Sequence, residues 1–367
     1  MNGSENICTI TQMQKPTKPE MFLDKFAHKP VIIAEAGVNH NGDPALAIKL
    51  IEAAAAAGAD IIKFQTFKAC ECAGKYADTA QYQKNSAFSN QYQLLKGLEL
   101  PFDVFSHLKH LSEKLGLTFL STPDGQMSLD LLCELNTAAI KIGSGELTNL
   151  PFLKTVGKKK RPVILSTGMG SLGEIQNAVE TLTAAGTDEI ILMHCTTEYP
   201  APPESTNLLA LKTMRQAFGL PVGFSDHTTG SEAAIAATAN GAVIIEKHLT
   251  IDRQLPGPDH AASIEPHEFA LLVASLRKTA IMMGTGTKQA TPCEQQNLKL
   301  VRRSLVAARK MQAGEILTAD KIAIKRPATG IAPELLPHAA NRILLSDLAE
   351  DEPVTWAHLG EVMNIEP

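Results

Sequence analysis

Eight short apolar runs, each closing on a polar residue, limit what this chain can fold into. They are VIIAE (31–35), DIIKFQT (60–66), LTFLST (117–122), AAIKIGS (138–144), PVILST (162–167), EIILMHCT (189–196), VGFSDH (222–227) and AVIIEKH (242–248). A parallel strand is covered by helices on both faces, so it reads as a continuous β-branched run and not as an alternating one. Helix-like stretches such as DPALAIKLIEAAAAAG (43–58) and PFDVFSHLKHLSEKLG (101–116) lie between several of the runs. Strands alternating with helices in this way predict an α/β chain, a (β/α)8 TIM barrel. In such a barrel the active site is assembled at the C-terminal ends of the strands. The polar residues gathered there are Glu35, Lys63, Gln65, Thr122, Lys141, Ser144, Ser166, His194, Thr197, His227, Glu246 and His248.

A barrel uses roughly 250 residues, and this chain has 367. Residues 1–29 read as a polar, partly disordered lead-in, and the barrel is expected over 30–284. The Gly-, Thr- and Gln-rich stretch 285–298 reads as a linker. Residues 299–367 have short apolar pairs broken by turn residues, which suggests a small loop-rich module. The long segment 68–116 follows the second strand, and Tyr82, Gln83 and the polar run to Asn90 are placed to shape or cover a pocket.

Bulk properties exclude several classes. A net charge of -5 and a pI near 6.1 argue against a nucleic-acid partner. No run of about 18 apolar residues exists, so no membrane span is expected. The N-terminus has no apolar signal core. The six cysteines form no C-x-x-C pair and no even ladder, which fits free thiols in a reducing cytoplasm. Cys70 and Cys72 are too closely spaced for the usual zinc hairpin.

Chemistry at the strand ends centres on two histidines and two lysines. His227 and His248 end the seventh and eighth runs, and neighbouring strands lie about 4.8 Å apart. Two imidazoles at one height can share a divalent metal such as Mn, Fe, Co or Zn, or they can form a hydrogen-bonded core pair. Lys63 and Lys141 sit within apolar runs, where an unpaired charge is costly. They fit an anionic ligand such as phosphate or carboxylate, a Schiff base, or bridges to Glu35 and Glu246. Ser144 and Ser166 add neutral donors, and Gly143, Gly145 and Gly168 allow close backbone approach. Glu35 and Glu146 are candidate acids, bases or hydroxyl-binding groups. Thr122 and Thr197 are candidate substrate contacts. Asp259, in the PGPDH turn (256–260), suits a sugar hydroxyl or a plain turn.

Ten segments together carry a family resemblance: AEAGVNHNGD (34–43), IKFQTF (62–67), FLSTP (119–123), KIGSGEL (141–147), LSTGM (165–169), HCTTEYP (194–200), GFSDHT (223–228), EKHLT (246–250), PGPDH (256–260) and KRPATGI (325–331). In this order the chain resembles the bacterial sialic acid synthases, of the N-acetylneuraminate and legionaminate synthase type. The resemblance implies a carbon–carbon bond-forming transferase that condenses phosphoenolpyruvate with an N-acylmannosamine-type amino sugar. It implies a barrel followed by a C-terminal antifreeze-like (SAF) domain over 299–367. It also implies a homodimer in which that domain is swapped and caps the partner's site. His227 and His248 would bind a divalent metal, typically Mn2+, with Mg2+ or Co2+ as substitutes. Lys63, Lys141, Ser144, Ser166 and Ser225 would hold phosphoenolpyruvate, and Glu35 would sit by the reacting carbons. Gln65, Glu146, Tyr199 and Asp259 would bind the sugar, and Arg326 would reach its acyl group.

Two departures bear on the sugar. Members specific for N-acetylmannosamine often carry an asparagine where this chain has Thr196 and Thr197, and KRPATGI replaces the more frequent KRPGNGI. These leave open a 2,4-diacetamido-2,4,6-trideoxy hexose, whose product would be legionaminic or pseudaminic acid. A rival enzyme, an aldol-type synthase using phosphorylated sugars, would need extra basic residues for a second phosphate and no cap. Ice binding by the C-terminal module needs a flat, weakly polar face, and Lys321, Lys325 and Arg326 argue against it.

Overall fold

The computed structural model describes residues 21–75 and 90–363. The expected cover at Tyr82 and Gln83, and residues 1–20 of the lead-in, lie outside the described residues. Two compact units divide the chain, residues 1–284 and 285–367.

The first unit is a near-closed barrel of eight parallel strands. They are β1 (Val31–Gly37), β2 (Ile61–Phe67), β3 (Thr118–Asp124), β4 (Ile140–Ile142), β5 (Val163–Ser166), β6 (Ile190–Cys195), β7 (Val222–Asp226) and β8 (Ile244–His248). The ladder runs β3-β2-β1-β8-β7-β6-β5-β4, and among the described residues no ladder joins β3 to β4. The eight runs read from the sequence are thus eight strands of one parallel sheet. The fourth is shorter than its run, because Gly143-Ser144-Gly145 breaks the ladder and Ser144–Glu146 forms a 3-10 turn.

The helices are α1 (Pro44–Ala56), α2 (Ala69–Cys72), α3 (Gln91–Leu98), α4 (Phe102–Lys114), α5 (Gln126–Glu134), α6 (Leu150–Gly157), α7 (Leu172–Ala185), α8 (Ala210–Phe218), α9 (Glu232–Ala239) and α10 (Pro266–Met283). The Asp43 carboxylate caps α1 by accepting from the Ala45 amide at 2.8 Å, and Pro44 takes a first-turn position where no donor is lost.

Strand alternation places the site. Side chains two apart share a face. Val31, Ile33, Ile61, Leu120, Ala139, Ile164, Ile191, Met193 and Ile244 form a buried cluster inside the barrel. Ile32, Ala34, Ile62, Phe64, Phe119, Leu165, Leu192, Phe224 and Ile245 belong to the separate cluster that packs against the helices. Following the inward face toward the C-terminal ends, Ile33 leads to Glu35, Ile61 to Lys63 and Gln65, Leu120 to Thr122, Ile164 to Ser166, and Ile244 to Glu246 and His248. One face of each strand is therefore core at its start and chemistry at its end.

Within the lead-in expected over 1–29, the described residues begin at Met21. Phe22 and Leu23 are buried against the interior cluster, and the Phe22 amide donates to the Glu189 carboxylate at 2.8 Å. Burying these two apolar side chains outweighs the polarity around them.

The second unit starts with α11 (Pro292–Val301), which falls partly in the stretch expected as a linker. Thr291 and Glu294 form a capping box there, so the turn-rich composition starts a helix. Beyond it lie β9 (Ser304–Ala307), β10 (Ile316–Leu317), β11 (Ile322–Lys325), β12 (Arg342–Leu344) and β13 (Leu359–Val362). Strands β9 and β11 pair antiparallel, and β10-β12-β13 form a second small sheet. Leu305, Met311, Leu317, Leu344, Leu348 and Val354 are among the residues of its core. Arg326 is exposed in this unit, directly after β11. No helix among the described residues is long and apolar enough to cross a membrane.

Candidate active site

A cavity of about 200 Å³ opens at the C-terminal ends of the strands. Its walls bring together Glu35, Lys63, Gln65, Thr122, Lys141, Ser144, Ser166, Thr197, Tyr199, Ser225, His227, Glu246 and His248. Twelve of the fifteen residues given a catalytic, metal-binding or substrate role meet here, all but Glu146, Asp259 and Arg326.

The charged centre is a buried group of two lysines and two glutamates. Lys63 forms an ion pair with Glu35, lies 3.8 Å from Glu246, and donates to Thr122 Oγ1 at 3.3 Å. Lys141 donates to Ser166 Oγ at 2.6 Å and lies 3.8 Å from the other Glu246 oxygen. The lysines thus have the carboxylates foreseen as partners, and both still face the cavity. Burial works against the Lys63 charge, but Glu246 and then Glu35 outweigh it and lift its pKa. Burial lowers Lys141, and Lys63 adds to that effect against the pull of Glu246. Glu35 is pushed up to about 8 by burial, and the Glu246 charge reinforces the rise against Lys63. Glu246 is held low because Lys141 and Lys63 together outweigh its burial.

Serine and backbone donors line the β4–β7 side. Ser144 Oγ accepts from the Gly168 amide at 3.0 Å and lies 3.2 Å from Cys195 Sγ. A Cβ at Gly168 would stand 2.3 Å from Thr197 Oγ1 and 2.8 Å from Ser144 Oγ, so only glycine allows this approach. Ser225 Oγ donates to Glu246 at 3.2 Å.

The two imidazoles lie with ring centroids 5.6 Å apart, and the Tyr199 ring sits 4.2 Å from His227 and 5.6 Å from His248. His227 Nδ1 donates to the Thr196 carbonyl at 2.6 Å, which leaves Nε2 with its lone pair, 3.3 Å from Ser225 Oγ. That is the arrangement in which a backbone carbonyl fixes the tautomer of a metal-binding histidine. Burial lowers the pKa of both rings, that of His248 well below the usual range with His227 adding to the effect. Neutral imidazoles are the metal-binding form. His248 Nδ1 is buried without a hydrogen-bond partner among the described residues. Those features fit a divalent ion. Among the described residues no three His, Cys, Asp or Glu side chains converge as a ready ligand set, so water or substrate oxygen would fill the other positions.

Three assignments fall elsewhere. Glu146 ends the turn after β4 and accepts from Asn149 Nδ2 at 2.6 Å, without lining the cavity. Asp259 stands behind His248, 3.9 Å from Nδ1, and burial pushes its carboxyl up to about 6. Arg326 belongs to the second unit. His194 faces away from the cavity, its Nε2 2.8 Å from the Thr206 carbonyl. The sequence reading missed Asp124 and Cys195, which also line the cavity. Asp124 follows Thr122 by two residues on the same strand face, and Cys195 follows Met193 in the same way. Alternation carried one step further along β3 and β6 would have found both.

The chain matches known proteins over most of its length. Residues 50–288 match the NeuB family and residues 302–360 the SAF domain. The chain is 46% identical over 328 residues to an N,N'-diacetyllegionaminic acid synthase of Campylobacter jejuni, covering 88% of this chain and 98% of that protein. It is 42% identical over 334 residues to the protein of the same name in Legionella pneumophila, covering 89% and 94%. Among solved structures it resembles an N-acetylneuraminic acid (sialic acid) synthetase from Leptospira borgpetersenii, at 35% identity and a TM-score of 0.66 over 74% of this chain and 90% of that one.

Proposed function

The chain belongs to the NeuB family, and from that membership we propose that it condenses phosphoenolpyruvate with an unphosphorylated N-acyl amino sugar to give a nonulosonic acid. A 2,4-diacetamido-2,4,6-trideoxy mannose of the legionaminate type is the favoured sugar, because two such synthases share 46% and 42% of their aligned residues with it. The observation that carries the reading is one cavity holding two lysines, three serines and two imidazoles at the strand ends.

Lys63 and Lys141 offset the negative charge of the phosphate and carboxylate, with Ser144, Ser166 and Ser225 as neutral donors. A divalent ion, when bound by His227 and His248, supplies Lewis acidity toward the open-chain aldehyde. Carbon 3 of phosphoenolpyruvate forms the new bond to the aldehyde carbon. The buried Glu35–Lys63 pair, in which burial raises the Glu35 pKa, delivers a proton to the aldehyde oxygen. Water adds to the cationic carbon 2 and returns a proton to Glu35. The tetrahedral adduct then breaks its C–O bond to phosphate, and the hydroxyl proton leaves with the phosphate, giving the ketone. One water is consumed and one phosphate released. No Schiff base is needed, because phosphoenolpyruvate is already an enol equivalent. A homodimer with exchanged C-terminal domains completes the proposal, with Arg326 reaching the sugar's acyl group.

The test is phosphate release from phosphoenolpyruvate with Mn2+ and a panel of N-acetylmannosamine, its 6-phosphate, and the 2,4-diacetamido-trideoxy mannose and altrose. Release with the diacetamido mannose is expected. Silence with every sugar, from folded and metal-loaded protein, overturns the synthase reading.

A further inference from the structure

Three carboxylates line the cavity: Glu35, Asp124 and Glu246. Glu35 pairs with Lys63, and Glu246 accepts from Ser225 between the two lysines. The Asp124 carboxylate alone makes no hydrogen bond or ion pair among the described residues. Only its backbone carbonyl is used, by Cys72 Sγ at 3.4 Å.

An aspartate near a helix start can cap it by accepting a backbone amide. That role is filled here by another residue. Glu71, on α2, accepts from the Gln126 amide at 3.1 Å and the Met127 amide at 3.2 Å, at the start of α5. Gly125, between Asp124 and α5, has φ +126°, and a Cβ there would stand 2.7 Å from Glu71. The turn is therefore built around Glu71, and Asp124 is left over from the capping. Its carboxyl is half-buried and pushed up to about 7, by burial first and then by Glu146, against Lys63 and Lys141. Holding an ionised carboxylate without a donor is unfavourable, so the fold gains nothing from it.

Position identifies the kind of ligand. In the β2–β3 register Gln65 faces Thr122 and Phe67 faces Asp124. Asp124 thus stands one inward step beyond Thr122, toward the mouth. Phosphoenolpyruvate is anionic and would be repelled there. The ionised carboxylate accepts and does not donate, so the partner that would hold it in that form is a hydroxyl or an amide N–H.

Building on the synthase reading, we propose that Asp124 is a sugar-specificity residue that accepts a hydrogen bond from an O–H or N–H of the amino-sugar co-substrate at the mouth of the cavity. A charge-assisted bond of this kind corresponds to about ten- to hundredfold in affinity.

The experiment compares wild type with Asp124→Ala and Asp124→Asn, on N-acetylmannosamine and on 2,4-diacetamido-2,4,6-trideoxymannose, together with ligand-free melting temperatures. Asp124→Ala is expected to raise KM for the sugar about ten- to hundredfold, with KM for phosphoenolpyruvate within about twofold. A loss confined to the diacetamido sugar assigns the contact to its second amide. An equal loss on both sugars assigns it to a group they share. Asp124→Asn is expected to melt no lower than wild type. An unchanged sugar KM, an equal rise in both KM values, or a clearly lower melting temperature for Asp124→Asn overturns the assignment. If wild type turns over no sugar, the synthase reading fails by itself, and the melting comparison still decides whether the carboxylate serves the fold.

Discussion

Lys247 and Asp226 form a buried pair on the outward faces of β8 and β7, one residue before His248's end of the strand and one before His227. Their side chains are 2% and 0% exposed, and Lys247 Nζ lies 2.7 Å from Asp226 Oδ2. Every remaining polar atom of the pair that the structure shows engaged is held by Thr228. The Thr228 amide and hydroxyl donate to Asp226 Oδ1 at 2.9 and 2.7 Å, and the Thr228 carbonyl accepts from Lys247 at 2.8 Å. Lys247→Met keeps most of the side-chain volume and strands the carboxylate. Breaking a buried pair this way costs about 3–5 kcal/mol, a large part of the roughly 5–15 kcal/mol of an ordinary fold. At about 2–4 °C per kcal/mol for a domain of this scale, the melting temperature should fall by roughly 6–20 °C. Asp226→Asn combined with Lys247→Met removes both charges and should recover most of the loss, because replacing a whole buried pair is often close to neutral. Calorimetry of the wild type, both single variants and the double variant gives the cycle. A Lys247→Met protein within 1 kcal/mol of wild type, or a double variant no more stable than the single one, would refute the reasoning.

Other outcomes follow from the same cavity. His227→Ala and His248→Ala should each abolish metal-dependent turnover with the far-UV circular dichroism unchanged, and wild-type activity that survives exhaustive chelation would sink the metal assignment. Glu35 is pushed up to about 8, so its proton-donating form is present below that pH and lost as pH rises through it. Turnover should fall on the alkaline side in wild type, and Glu35→Gln should lose most activity together with that limb; an unaltered alkaline limb in the variant assigns it to another group. Arg326→Ala should raise KM for the sugar far more than for phosphoenolpyruvate, and equal effects would move Arg326 to the anion site.

Legibility in this chain followed from burial. A strand covered on both faces is apolar at successive positions, so the eight runs stood out, and their polar ends located the cavity. Lys63 and Lys141 were conspicuous because a cation inside such a run needs a reason to be there. The packing within residues 21–29 was not legible for the opposite reason. Phe22 and Leu23 are two buried side chains in a polar stretch, and two residues set up no periodicity. The capping box at Thr291 was likewise hidden by turn-forming neighbours.

Asp124, Asp226 and Lys247 were missed for a different physical reason. Each carries a charge at a position whose neighbours already explain the strand, and sequence does not say which face a strand end presents until the register is known. Once Leu120 and Thr122 are placed inward, Asp124 must follow them into the cavity. Once Ser225 and Glu246 are placed inward, Asp226 and Lys247 must point out, where they meet across the ladder. The same alternation sends one carboxylate to a site with no partner and another to a site with three donors. It follows that Asp226 is held by the fold, whereas Asp124 is available to a ligand.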